Sequence, residues 1–378
     1  MDGQVYRSSP ALSTPPRPSK LAIRMTEIAH LAADTTSRIF RDLGDPRALN
    51  AAADERWRAP LWRALEDAGL TRAWVPEALG GAGAGIADGF EILRIAGAFA
   101  VSVPLAETLL AGWLLAQAGL EVPDGILTLA PVRDADRLEF GRDGGVSGRA
   151  RGVPFARDAA HVAVLARRGA GFAVALVERA RCALGAGASQ AGEPRDDLSL
   201  RDVRPRAAAD APPGLDPERL LAMGAAARAA QMSGALEAIL ERSADYANER
   251  VAFERPIAKF QAVQHALARL ACETAAALAA AGSAADALDG GQAPGEALFL
   301  EVASAKIRAG EAAGAGAAIA HQVHGALGFS AEHALHRYTQ RLWAWREDFG
   351  SESVWAARLG RLLAARGADA LWPLLAAR

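Results

Sequence analysis

The chain contains few of the residues that build disulfide scaffolds, metal sites or nucleic-acid-binding faces. Its 378 residues include two cysteines, Cys182 and Cys272, which are too few and too far apart to predict a disulfide framework or a metal site. Only Lys20, Lys259 and Lys306 of the 42 basic residues are lysines, and the net charge is −2 with acids and bases interspersed. No basic face therefore favours nucleic acid, and a reducing compartment is the simpler interpretation.

The sequence also lacks a run that could cross a membrane. The longest apolar stretch, around Leu109 to Leu120, is interrupted upstream by Pro104 and Glu107 and falls short of the about 20 residues that a span requires. We interpret it as a buried helix. Residues 1–20 lack the continuous apolar segment of a signal peptide, so we expect a mobile leader and a cytoplasmic protein.

Composition divides the remainder into three regions and predicts an α+β fold. Residues 21–121 show helical apolar spacing around a Gly-rich break, which predicts an N-terminal helical domain. Residues 122–210 contain short apolar runs separated by Gly and Asp, which predict a middle β-barrel-like domain. Residues 211–378 are Ala- and Leu-rich and predict a C-terminal helical bundle.

Gly and Pro punctuate the last region into long helices. The pattern predicts helices at about 217–249, 257–288 and 296–324, with a last one from about 352. Four antiparallel helices are the economical packing for such lengths and short connections. The C-terminal domain is therefore predicted to be a four-helix bundle.

One segment between the first two of these helices carries a specific motif. It reads YANERVAFERPIAKFQ, and it matches the pattern Y-x-x-x-R-x-x-F-G-x-P-[IL]-x-x-[FL]-Q at every fixed position but Glu254, where the pattern has Gly. The matching residues are Tyr246, Arg250, Phe253, Pro256, Ile257, Phe260 and Gln261.

Three further segments match in the same chain order. The sequence from His321 resembles Q-x-L-G-G-x-G-F-T-x-E, residues 75–83 resemble V-P-E-x-x-G-G-x-G, and residues 215–220 open a long apolar helix. Taken together, the four segments resemble the acyl-CoA dehydrogenases over roughly residues 55–360. The resemblance implies that family's fold and FAD as cofactor. It also implies an acyl-CoA substrate, and electrons passed to an electron-transfer flavoprotein.

The reaction implied is an α,β-dehydrogenation, for which a carboxylate must remove the α-proton while the flavin accepts the β-hydride. In most of the family this base is a loop Glu, and the corresponding position here is Phe349. Glu347 and Asp348 flank it and remain candidates. In other branches of the family the base stands at the start of a long helix, where this chain has Glu218 followed by Arg219.

Glu218 is the catalytic residue that we predict, with Arg219 on the substrate. Another interpretation remains open, because Asp216 as N-cap, Pro217 at the first helical position and Glu218 in the first turn form an ordinary helix start.

The resemblance also assigns cofactor residues. Arg250 corresponds to an arginine that reaches the FAD pyrophosphate of a neighbouring subunit, with Phe253 and Gln261 beside the dinucleotide. Ser351 stands at the Thr position of the loop that carries the family's base. Gln322, Gly325 and Ala326 correspond to a turn that closes over it. The alternatives are an exposed helix arginine, a core aromatic for Phe253 and a simple helix C-cap for the Gly turn.

The middle domain departs from the family. Residues 129–134 and 153–156 replace two segments that contact flavin and substrate. This degeneracy leaves two further hypotheses: a partner subunit of a heteromeric acyl-CoA dehydrogenase without catalysis of its own, or a flavin monooxygenase on the same fold. Because Arg250 in its family role contacts the FAD of a neighbouring subunit, it requires at least a dimer, within either a homo-oligomer or a hetero-oligomer. His324, His333 and His336 do not have the spacing of a metal site.

Overall fold

The N-terminal part of the chain is helical. The computed structural model describes residues 20–52, 54–290 and 295–376. The predicted leader lies outside them except for Lys20. The first five helices are α1 (Lys20–Leu43), α2 (Pro46–Ala51), α3 (Arg58–Asp67), α4 (Ile86–Phe99) and α5 (Leu105–Gln117).

Helix α5 is the buried helix that the sequence predicts around Leu109. Its residues from Leu105 to Leu115 are all buried, because the helix packs between the other helices and the sheet. Glu107 is buried with them at 1% exposure, so the acid that interrupts the apolar run needs a partner inside the protein.

The middle part is an eight-stranded sheet in the order β6-β7-β3-β2-β4-β5-β8, with β1 paired to β4. Its strands are β1 (Leu127–Ala130), β2 (Arg137–Phe140), β3 (Val146–Pro154), β4 (His161–Arg168), β5 (Gly171–Glu178), β6 (Ala183–Gly185), β7 (Arg195–Val203) and β8 (Ala207–Asp210). The apolar runs of β4 and β5 are antiparallel neighbours, with Leu165 opposite Val174. Both runs are buried in their centres, which explains why they lack the alternation of a half-exposed strand.

The C-terminal part is again helical. Its elements are α6 (Pro217–Glu249), a hairpin of β9 (Val251–Ala252) and β10 (Arg255–Pro256), α7 (Gln261–Asp289), α8 (Glu296–His324), α9 (Leu335–Glu347), α10 (Glu352–Arg366) and α11 (Leu371–Ala376). The predicted fold class is confirmed: helices, then a β domain, then a helical domain.

The sequence interpretation missed one helix and misplaced the start of another. Helix α9 fills the interval 335–347, where no helix is predicted; its apolar residues are mixed with arginines, which obscures the helical spacing. Two of those arginines have partners within the molecule: Arg341 pairs with Glu193 of the β domain, and Arg346 pairs with Glu352. Helix α7 begins at Gln261 and not near 257, because residues 257–259 form a short 3₁₀ turn.

Helices α4 and α6 pack with their backbones almost in contact. A Cβ atom on Gly234 would lie 1.8 Å from the Arg94 carbonyl oxygen, and one on Gly97 would lie 2.1 Å from the Gln231 carbonyl oxygen. Only glycine allows this approach. The packing joins the N-terminal helices firmly to the longest helix of the C-terminal domain.

Candidate functional site

A large cavity lies between the sheet and the loop that follows α9. Its volume is about 820 Å³, and we call it the loop cavity. Val132, Arg133 and Pro154 line one side, and Glu347 and Phe349 line the other. The two segments that depart from the family pattern therefore meet the loop that lacks its glutamate.

Phe349 fills the place where the family resemblance puts the base. The residue is 2% exposed, and its ring packs so closely on α6 that a Cβ on Gly224 would lie 2.2 Å from ring carbon Cδ1. Trp355 Nε1 donates a 3.0 Å hydrogen bond to the Phe349 carbonyl oxygen. Phe349 also has a left-handed backbone, with φ of 53°. The position is thus occupied by a wedged aromatic ring and carries no carboxylate.

Asp348 is held in ion pairs and does not face a substrate as an available base. Its carboxylate accepts a 3.1 Å hydrogen bond from Arg195 Nε and a 2.9 Å hydrogen bond from Arg228 Nε. Burial would raise the pKa of Asp348, but Arg195, Arg228 and nearby Lys306 lower it further, so the net pKa falls below its usual value. The hypothesis that Asp348 is the base therefore conflicts with its surroundings.

The same ion pairs connect all three parts of the molecule. Arg228 of α6 also donates to Glu107 of α5 and, over 2.5 Å, to the Gln231 side chain. Arg195 belongs to β7 of the sheet. We call Glu107, Arg195, Arg228 and Asp348 the charge cluster. The side chains of the cluster are at most 11% exposed, and each charge has a partner of opposite sign. Buried charges are tolerated under that condition.

Lys306 forms hydrogen bonds with the backbone at the end of α9, directly before the loop. It is fully buried on α8, and its Nζ donates to the carbonyl oxygens of Trp345 over 3.3 Å and Arg346 over 2.5 Å, at the end of α9. Burial lowers the pKa of Lys306 to about 8, against the opposing effect of Asp348 and Glu352. Glu347 follows Arg346 in the sequence and is exposed on the loop cavity.

Glu218 lies in a different pocket, about 540 Å³ in volume, which we call the helix-start pocket. Phe299, Trp355 and Arg358 line it together with Glu218 and Arg219. The Glu218 side chain is 64% exposed and pairs with Arg358. Within the described residues, Glu218 therefore lacks the dry surroundings expected for a catalytic carboxylate.

The start of α6 is an ordinary capped helix end, as the alternative interpretation proposed. The Asp216 side chain accepts a 2.8 Å hydrogen bond from the Arg219 amide, and Pro217 is the first helical residue. Arg219 is half-buried, and its Nη1 atom has no hydrogen-bond partner within the described residues. Burial lowers the pKa of Arg219, an effect that Asp216 opposes.

The predicted cofactor residues other than Ser351 gather on one exposed surface at the far end of α6. Arg250 follows the last residue of α6, Gln261 begins α7, and Gln322 lies in the last turn of α8; all three side chains are exposed. Helices α7 and α8 pack along each other, so the start of α7 lies beside the end of α8. We call Arg250, Phe253, Gln261, Gln322 and the turn 325–329 the distal face.

Two aromatic residues show that the distal face is exposed rather than packed. Phe253 is 90% exposed and Phe329 is 72% exposed. The alternative interpretation of Phe253 as a core aromatic is therefore wrong. Gly325 caps α8 with a φ of 59°, and a Cβ there would meet nothing within 4 Å, so backbone amides of the turn can be approached closely. Ala326 is exposed beside it.

A ring contact joins the two motifs of the distal face. Tyr246 of α6 stacks on His324 of α8 with ring centroids 4.6 Å apart. The structure thus brings together Tyr246 and Arg250 of one motif with Gln322 and Gly325 of the other, although they are far apart in sequence.

The distal face and the predicted base lie at opposite ends of α6. The helix has 33 residues, and at a rise of about 1.5 Å per residue it is about 50 Å long. Glu218 and Arg250 of one chain therefore cannot act in the same site. Ser351 belongs to the loop end: it precedes α10 and lies 2.9 Å from the Ser353 hydroxyl.

Glu254 occupies the position where the family pattern has glycine, and the backbone explains the pattern. Its φ is 63°, in the left-handed region. Glu254→Gly should raise the free energy of unfolding by about 0.5–1 kcal/mol, because relief of the left-handed strain exceeds the extra entropy of the unfolded chain. Urea unfolding measures it. Glu249→Gly, at the end of α6, is the control and should destabilise the protein; equal effects of both changes would contradict the explanation.

The sequence does not predict the charge cluster. Glu107 interrupts an apolar run without indicating a partner, and Arg195 and Arg228 resemble other arginines of an arginine-rich chain. The rarity of lysine was the one available signal for Lys306. Among residues 20–52, 54–290 and 295–376, no three His, Cys, Asp or Glu side chains are arranged to hold a metal ion. Within the same residues, no helix is both long and apolar enough to span a membrane.

Comparison with known proteins gives the same family at both ends of the chain. The acyl-CoA dehydrogenase N-terminal domain matches residues 26–122, and the acyl-CoA dehydrogenase C-terminal domain matches residues 217–362. Acyl-CoA dehydrogenase IpdE2 of Mycobacterium tuberculosis is 30% identical over 311 residues, which cover 82% of this chain and 88% of that protein.

Solved structures with the same fold include two complexes. A chain of the ChsE4–ChsE5 complex from Mycobacterium tuberculosis superimposes with a TM-score of 0.79 at 27% identity, covering 90% of this chain and 98% of that one. A variant of the Tcur3481–Tcur3483 steroid acyl-CoA dehydrogenase gives the same TM-score and identity, over 90% of this chain and 99% of that one. With both terminal domains matched and IpdE2 similar over most of its length, the chain belongs to the FAD-dependent acyl-CoA dehydrogenase family.

Proposed function

We propose that this chain is a subunit of a heteromeric acyl-CoA dehydrogenase, in which it supplies the nucleotide-binding half of an FAD site and a second chain supplies the base. One observation carries the proposal: the wedged ring of Phe349 stands where the family's loop carboxylate belongs. The flanking Asp348 is locked in ion pairs, and Glu218 is exposed and paired with Arg358. The distal face, by contrast, retains its full set of polar and aromatic residues.

The residues of the distal face fit the phosphate and adenine end of FAD. Arg250 offers a permanently charged, forked donor, which suits a pyrophosphate. Phe253 offers an exposed ring, and the turn at Gly325 offers approachable backbone amides. Gln261 and Gln322 add side-chain hydrogen bonds. When bound, FAD would accept the β-hydride of an acyl-CoA while the base of the second chain takes the α-proton, and the product would be the trans-2-enoyl-CoA.

The distance between the two ends of α6 supports a shared site. Arg250 lies about 50 Å from the helix-start pocket of its own chain, and this distance supports an FAD whose ring lies in another chain. The structural relatives favour a heteromer, since ChsE4–ChsE5 and Tcur3481–Tcur3483 are both named as pairs. Electrons from the assembly would pass to an electron-transfer flavoprotein.

A second candidate is a self-sufficient dehydrogenase with Glu218 as base and Arg219 on the substrate. It is favoured by the helix-start pocket, which Phe299 and Trp355 line together with Glu218 and Arg219. In that case opening of the ion pair between Glu218 and Arg358 would have to accompany substrate binding.

The visible absorption spectrum separates the two candidates. We would record it for the chain purified alone, and for the chain purified with a second acyl-CoA dehydrogenase encoded near its own gene. A panel of acyl-CoAs is then added anaerobically. The proposal expects a chain that is colourless alone and does not take up added FAD, and a complex whose flavin bleaches with one thioester. A flavin that binds to the chain alone and bleaches there would overturn it.

Two substitutions in the complex test the residue assignments. Arg250→Ala should weaken FAD binding at least about tenfold, because a charge-assisted hydrogen bond contributes about 1.5–3 kcal/mol. Glu218→Gln should leave the bleaching rate within about twofold. Arg201→Ala, an exposed arginine on β7, is the control for the loss of a positive charge. Loss of bleaching in Glu218→Gln with the flavin still bound would instead support the second candidate.

A further inference from the structure

His324 occupies a buried position directly beneath the distal face. It is 2% exposed, at the end of α8, and its ring lies between Tyr246 at 4.6 Å and His333 at 4.8 Å. The turn packs on it from outside, since a Cβ on Gly328 would lie 2.9 Å from the His324 Cβ. The motif that this segment resembles has Leu at the same position, so an ionisable ring here needs an explanation.

The hydrogen bonding of His324 fixes its neutral form. Nδ1 lies 2.8 Å from the Ala320 carbonyl oxygen, which can only accept, so Nδ1 carries the proton. Nε2 is buried and has no hydrogen-bond partner within the described residues. A second proton at Nε2 would therefore create a buried donor without an acceptor and a buried positive charge.

Among the described residues, the charged side chain that acts on the His324 pKa is the cation Arg242, and no acid opposes it. The titratable or cationic groups around the ring are Arg242 and Tyr246 of α6, His321 of α8 and His333 of the following loop. His333 in turn lies near Arg47 and His336. Arg242 Nε donates to the Tyr338 hydroxyl over 3.1 Å, so it is held nearby.

We propose that His324 is a positioning residue whose neutral ring holds the two halves of the distal face together, and that its protonation weakens binding of FAD and of the partner chain. This inference rests on the proposed function of the distal face. The stack with Tyr246 links α6, which leads directly to Arg250, to α8 and the Gln322 turn. A charged His324 would push away from Arg242 and loosen that link.

The direction of the pH effect follows from burial. Burial lowers the pKa of His324, and Arg242 lowers it further, against the opposing effect of the Ala320 carbonyl. A lowered pKa means that the unfolded chain takes up the proton first, so the stability contribution is complete above about pH 6.5 and is lost as the pH falls below it. Loss of FAD follows at lower pH, where the folded form itself is protonated.

The decisive variants are His324→Leu and His324→Phe, which keep an apolar group in place and cannot titrate. His265→Leu, which removes an exposed histidine from α7, is the control. Urea unfolding of the isolated chain between pH 7.5 and about 5 should show the wild-type folding constant falling by up to about tenfold per pH unit relative to either variant. Two variants of His324 are used so that the test still holds if one of them does not fold. Identical pH profiles in wild type and variants would overturn the proposal.

The complex provides the independent readout. The amount of flavin that the complex retains after gel filtration is measured at pH 7.5 and at pH 5. It should be lower at pH 5 than at pH 7.5 in the wild type and in His265→Leu, but equal at the two pH values in His324→Leu and His324→Phe. If the complex binds no FAD through this chain while the unfolding profiles still differ, the proposed function is wrong and only the coupling of His324 to stability survives. If flavin retention falls equally in all four proteins, the positioning role is wrong although the distal face binds FAD.

Discussion

Replacement of Asp348 by alanine is expected to lower the free energy of unfolding by about 3–5 kcal/mol. The substitution leaves Arg195 and Arg228 buried without their shared carboxylate, and an unpaired buried charge is among the largest penalties that a single change can cause. Because the charge cluster joins the N-terminal helices, the sheet and α6, the loss should affect all three together. Urea unfolding followed by circular dichroism would measure it.

A matched control distinguishes this effect from the loss of any ion pair. Asp210 pairs with Arg168 over 3.0 Å at the surface, where Asp210 is 81% exposed. Asp210→Ala should cost at most about 1 kcal/mol, because water and salt screen exposed pairs. Equal losses in the two variants would show that the charge cluster contributes no more than a surface pair.

The contribution of Asp348 to stability should also appear in the pH dependence of the free energy of unfolding at acid pH. The pKa of Asp348 is lowered in the folded protein, so its stability contribution is present above the ordinary aspartate pKa of 3.8 and is lost as the pH falls through the lower folded value. Wild-type unfolding should therefore steepen at the acid end of the titration, and Asp348→Ala should show less of that dependence.

The second large effect is expected at the crossing of α4 and α6. Gly234→Ala should lower the free energy of unfolding by about 3 kcal/mol, because its Cβ would stand 1.8 Å from the Arg94 carbonyl oxygen and the two helices would have to move apart. The gain in helix propensity offsets only about 1 kcal/mol of that cost.

Gly282→Ala provides the opposite control for the same substitution. Gly282 lies in the interior of α7, and a Cβ there would meet nothing within 4 Å. This variant should be more stable than wild type by about 0.5–1 kcal/mol, through helix propensity alone. A Gly234→Ala protein as stable as Gly282→Ala would mean that α4 and α6 do not pack as closely as described.

The local elements and the family could be predicted from the sequence alone. Helical spacing and Gly or Pro breaks are properties of neighbouring residues, and they predicted α6, α8 and the buried α5 closely. The short apolar runs predicted β4 and β5 for the same reason. Helix α9 was missed because its interior arginines look exposed until their partners are known. The motif around Arg250 needed no structure, since its spacing alone is specific.

The tertiary structure decided which of the predicted site residues can act together. Asp348 meets Arg228 across 120 positions and Arg195 across 153, and no local pattern encodes such contacts. Sequence left Glu347 and Asp348 open as bases, and only long-range ion pairs showed that Asp348 is occupied. The exposure of Glu218 and its separation from Arg250 by the length of α6 likewise follow from packing, because the environment of a side chain is set by segments distant in sequence.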